Sequence, residues 1–189
     1  MEHRRLVVVV LLVGLLVSGL LDLPNSFAAP PVSSSAEVLV IATGTVVGES
    51  TLLRLAAALS ATLETTGLTS GNAYTMWWVI FNNPEFCSLS PCTAADFANA
   101  NVQASQVLAA GHVAGGSGKA GFASYLAVGD TSEAVFGPGL LDPLGAEIHL
   151  VLRSHGRTIP GMVDDQISSL NGGCPPNTCT NVQVSRHLP

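Results

Sequence analysis

The sequence predicts an all-β domain, a single antiparallel β-sandwich with a short helix in a long loop. Three observations lead there. Stretches rich in Val, Ile, Thr and aromatic residues recur along the chain, and clusters of Gly, Pro, Asn and Ser separate them. Several of these stretches alternate apolar with polar residues at the period of a strand. The chain has 189 residues, 48% of them hydrophobic and 11% charged, which suits one domain and excludes a disordered tail.

Taken in order, residues 1–28 read as a secretory signal peptide. Arg4 and Arg5 give the positive start, Leu6 to Leu21 the apolar core, and Ser26-Phe27-Ala28 the small residues a peptidase needs. The apolar run is shorter than the roughly 20 residues of a spanning helix, and no Cys follows it as a lipid anchor would require. The expected product is periplasmic or extracellular and free of the membrane after cleavage. Residues 29–35 read as a flexible lead, and 36–189 as the sandwich domain. Past residue 28 the only basic residues are Arg54, Lys119, Arg153, Arg157 and Arg186, in a chain of net charge −6. Scattered cations on an acidic chain exclude phosphate-backbone binding, so no nucleic-acid partner is expected.

The first strand signal is Ala36 to Val47. Leu59 to Thr66 alternates, with Leu59, Ala61 and Leu63 on one face and Ser60, Thr62 and Glu64 on the other. Leu52, Leu55, Ala56, Leu59 and Leu63 also fit helical spacing, but Thr and Gly crowd both ends and favour a hairpin. Tyr74 to Phe81 is apolar on both faces. Thr93 with Asp96 suits the cap of a short helix over 94–100. Gly121 to Val128, Ala146 to Leu152 and Asn181 to Leu188 complete the strands.

The four cysteines form two matching C-x4-C pairs, Cys87 with Cys92 and Cys174 with Cys179. Three connectivities are open to four cysteines. Export favours disulfides over thiolates, and the proline-turned hexapeptides favour two local bridges. A four-thiolate zinc site is the rival, against the usual C-x2-C spacing.

Leu68-Thr-Ser-Gly71-Asn-Ala-Tyr74, followed by Met76, Trp78 and Ile80, resembles the L-x-P-G-x-x-Y corner of fibronectin type III domains, with Ser70 at the proline position. The resemblance implies an immunoglobulin- or fibronectin-like sandwich, or a related Greek key, in which the tyrosine hydroxyl folds back onto backbone. Gly145-Ala-Glu-Ile-His149 is similar to an element of chordin-type secreted β domains. Gly71 to Pro84 and the ending Asn171-Gly-Gly-Cys-Pro-Pro-Asn-Thr-Cys resemble a family of exported bacterial proteins with no assigned activity. None of these resemblances carries a catalytic residue.

The chemistry-bearing strand is Glu147-Ile-His149-Leu-Val-Leu-Arg153-Ser-His155. Alternation puts Glu147, His149, Val151, Arg153 and His155 on one face. Glu147 and His149 could hold Cu or Zn if another strand brought His112 or His187, whereas the plainer reading makes them cross-strand partners on a sheet face. Trp77, Val79 and Phe81 share a second apolar face. A lid formed by 83–108 would cover it; left open, Trp77 and Phe81 would form a binding platform, with Arg153 and His155 as further contacts. Ser154-His155 cannot be nucleophile and base, because strand neighbours point apart. Gly115-Gly-Ser-Gly-Lys119 lacks the elements of a phosphate loop. Glu64, Asp142, Glu147 and Asp164 show no spacing that selects a glycosidase pair. The expected function is therefore a non-enzymatic exported domain that binds a protein, a glycan or a small ligand, without a cofactor. A Cu- or Zn-binding sandwich is second and a hydrolase third.

Overall fold

The computed structural model describes residues 30–189, so the predicted signal peptide lies outside the described residues. Nine strands form one sheet: β1 Val32–Val40, β2 Val46–Leu55, β3 Ala58–Thr65, β4 Asn72–Phe81, β5 Ala104–Val113, β6 Ala120–Ala127, β7 Ala134–Phe136, β8 Glu147–Arg157 and β9 Thr180–His187. Their order is β6-β3-β2-β1-β9-β8-β4-β5-β7, with antiparallel pairing throughout these ladders. The sheet curls into a half-barrel that brings β5 towards β6. The expected all-β antiparallel domain is present, but its strands join one curled sheet where two facing sheets were expected.

The concave face holds the main core. Leu52, Leu59, Leu63, Met76, Trp78, Ile80, Ile148, Leu150 and Leu152 are fully buried there, each on the inward parity of its strand. Arg54 is also buried on this side, and its desolvated guanidinium, held below its ordinary pKa by burial, donates to the carbonyls of Pro143, Ala146, His187 and Leu188. One charged side chain thus ties β2 to the loop before β8 and to the chain end. The Tyr74 hydroxyl accepts the Thr69 amide at 2.9 Å, as a tyrosine corner requires.

The convex face of β4 is covered by a second layer. Trp77, Val79 and Phe81 pack with Cys92, Val102 and Ala104, and against Phe97, Phe136 and Leu170. Two segments supply the cover. One is the 83–102 loop, with 3-10 turns at Pro84–Phe86, Ala94–Ala98 and Ala100–Val102. The other is α1, Val163–Ser168, which packs on β4 and β5. Within the loop, the Ser88 and Thr93 amides donate to Asp96 and hold its carboxyl at about 2. The capping residues Thr93 and Asp96 do start a turn, though of 3-10 type and ending at Ala98.

Three expectations need correction, and a fourth holds. The flexible lead over 29–35 is strand from Val32, because Val32 to Ser35 pair with Arg54 to Thr51. The lid ends at 102, where Gln103 enters the left-handed region at φ 51°, and 104–113 is strand β5. β7 and α1 have no counterpart among the expected elements. The hairpin reading of 52–63 holds, with Ala56 and Ala57 as its turn.

Candidate functional site

Four strands and the lid line an open cavity of about 220 Å³ on the convex side. Ile41, Val79, Phe81, Phe97, Val151 and Val184 make its walls apolar. β8 contributes the polar floor. His149 Nε2 lies 2.6 Å from Glu147 Oε1, which also accepts the Cys92 amide at 2.8 Å. Glu147 is 2% and His149 6% exposed, and the imidazole stands edge-on to Phe81 at 5.1 Å between centroids. The carboxylate thus fixes the ring while the Cys87–Cys92 loop fixes the carboxylate.

The other ring nitrogen is different. His149 Nδ1 has no hydrogen-bond partner among the described residues, yet no fully buried side-chain nitrogen or oxygen among them lacks one. Nδ1 must therefore open onto the cavity that His149 lines. Directly opposite His149 in the β8–β9 register stands Arg186, an exposed cavity residue with no hydrogen-bond or ion-pair partner among the described residues. Opposed residues of an antiparallel pair have Cβ atoms about 5 Å apart. Sequence reading missed Arg186. Strand parity placed it opposite to His187, but nothing in the sequence paired β9 with β8.

The other proposed metal ligands do not converge on this dyad. His187 lies on the concave side, with Nε2 2.8 Å from Ser50 and Nδ1 2.9 Å from Ser34. Burial, then the charge of Arg54, push it down to about 4. His112 pairs with Tyr74 and meets the edge of the core residue Phe122, again on the concave side. The sheet separates both from Glu147 and His149, so this set of four is corrected to a dyad.

The platform reading is corrected as well. Trp77 and Phe81 are each 1% exposed beneath the lid, and Phe81 forms part of the cavity wall. Arg153 is occupied structurally: its guanidinium donates to the Leu170 carbonyl and to Asn181 and Asn171. His155 is completely buried. Trp77 Nε1, a donor only, gives its proton to Thr75 Oγ1 at 2.6 Å, and the Thr75 hydroxyl donates onward to His155 Nε2 at 2.8 Å, because the other ring nitrogen faces a carbonyl and must carry the proton. Nδ1–H then donates to the Gly172 carbonyl at 3.0 Å. Burial, ahead of every other cause, keeps the His155 pKa below the ordinary histidine value.

Both cysteine pairs form the local bridges, Cys87–Cys92 and Cys174–Cys179, and no cysteine among the described residues is free. The four-thiolate zinc reading is thereby corrected: the four sulfurs stand as two disulfides. One His/Cys/Cys grouping, His155 with Cys174 and Cys179, has ligand-type atoms close together, but its sulfurs are bonded to each other and its Nδ1 proton is committed to Gly172. Among the described residues no helix is long and apolar enough to cross a membrane. No family model, curated protein or solved structure matches this chain.

Proposed function

We propose that the chain is an exported, non-enzymatic binding domain that takes a small ligand in the cavity beneath the lid. The supporting observation is His149 Nδ1: an unpartnered polar atom on a ring more than nine-tenths buried, facing an apolar cavity of about 220 Å³. Pockets for drug-sized ligands run to roughly 300–1,000 Å³, so this one suits a smaller molecule. Thr93 carries the hydroxyl on the cavity wall, and that hydroxyl is bonded to Asp96 at 3.0 Å, which favours binding over nucleophilic chemistry. Two disulfides fit an oxidising compartment, periplasmic or extracellular. On this reading the half-barrel is an opened sandwich whose halves stay joined through β9, in keeping with the Tyr74 corner.

A fragment panel titrated into the purified protein, followed by the His149 ring resonances, tests the reading. Fragments should shift those resonances in the wild type. They should not do so in Ala94→Trp, which fills the exposed rim of the cavity and leaves the core intact. If no fragment at millimolar concentration moves them, the cavity is not a binding site.

A further inference from the structure

We infer that the ligand is a small apolar hydroxycarboxylic acid, its carboxylate on Arg186 and its hydroxyl donating to His149 Nδ1; this rests on the cavity being the binding site. Three features converge. Arg186 presents a guanidinium with no partner among the described residues, and a planar fork of N–H donors recognises a carboxylate. Beside it, His149 Nε2 donates to a carboxylate that already accepts the Cys92 amide, so in its neutral form the ring offers Nδ1 as an acceptor. An acceptor in that position calls for an O–H or N–H. A bare carboxylate could not satisfy it.

The third feature is the wall. A hydrated inorganic anion would have to shed water against Val79, Phe97, Val151 and Val184, with one cation in return. An alkyl or aryl group buries apolar area there instead. Arg186 and His149 face each other in register, so a small ligand with its two polar groups on adjacent carbons can reach both.

Mandelate is a suitable probe, compared with phenylacetate, which lacks the hydroxyl, and mandelamide, which lacks the charge. Calorimetric or NMR titration of the purified protein should rank mandelate first. Mandelamide should bind about tenfold or more weaker, the usual cost of losing a charge-assisted hydrogen bond, and phenylacetate roughly fivefold weaker. In Arg186→Gln, an exposed position whose change should leave the fold intact, mandelate should fall to the level of mandelamide. The inference is overturned if mandelamide equals mandelate, if phenylacetate equals mandelate, or if Arg186→Gln leaves the ranking unchanged. In those cases binding itself still supports the cavity as the site. If neither these probes nor any fragment reaches His149, the binding reading falls with it.

Discussion

Replacing Thr75 by Val tests how the second layer is held, because it changes hydrogen bonding with almost no change of shape. Thr75 and His155 are fully buried and Trp77 is 1% exposed, and one hydroxyl satisfies both the indole N–H and the imidazole Nε2. Thr75→Val leaves one donor and one acceptor buried without partners. At about 1–3 kcal/mol for each, the substitution should cost about 2–6 kcal/mol, a large part of a typical domain's stability. Urea unfolding followed by far-UV circular dichroism measures it, and the midpoint should fall with the slope unchanged. Trp77→Phe supplies the control, since it removes the donor beforehand. In the double variant only the His155 acceptor is stranded, so the two single costs should exceed the double cost by about 1–3 kcal/mol. A Thr75→Val loss below about 0.5 kcal/mol, or strict additivity, would refute the relay.

Three further outcomes are expected. His187, held at about 4 against an ordinary 6.5, takes its proton in the unfolded chain first, so stability should be full above pH 6.5 and decline towards pH 4. The shift corresponds to at most about 3 kcal/mol, or about 1–2 after screening, and unfolding at pH 7 and 4.5 should show a smaller decline in His187→Gln; an equal decline would count against it. Glu37, Glu49 and Glu64 stand directly opposite one another across β1, β2 and β3, all exposed, so Glu49→Lys should raise stability by about 0.5–1.5 kcal/mol, less so in high salt; a lower melting temperature at low salt would contradict it. A methyl at Gly111 would overlap the Ile167 carbonyl, so Gly111→Ala should lift α1, lower the melting temperature and speed amide exchange over 163–168, whereas unchanged exchange there would show that α1 accommodates it.

The sequence made legible whatever depends on local period and turn chemistry. Alternation in 59–66 gave the inward residues of β3, and alternation in 147–155 correctly grouped Glu147, His149, Val151 and Arg153 on one face. The doubly apolar β4 required a second cover, and 83–102 provides most of it. What stayed hidden depends on pairing. β5 reads Ala-Ser-Gln-Val-Leu-Ala-Ala-Gly-His-Val, a weakly patterned run that becomes a strand because β4 offers it an edge. Likewise, the single sheet follows from β1 and β9 meeting at Leu39 with Val184, a contact between strands far apart in the chain. The cavity needs both of these pairings and was invisible for the same reason.

The convex face also explains why the unpaired nitrogen is informative. β4 and β8 lie inside the sheet and are covered on both sides, so polar side chains on the second face leave water on folding. Stability alone would then require partners for each of them. Thr75, Trp77, His155, Arg153 and Glu147 all have partners, drawn from three strands, the lid and the loop after α1. A histidine kept only for packing would be satisfied at both nitrogens, as His155 and His187 are. His149 is anchored at one nitrogen and open at the other, beside an unpaired arginine. That asymmetry leaves one polar atom free for whatever enters the cavity, and it gives a structural reason to look for the ligand there before anywhere else on the molecule.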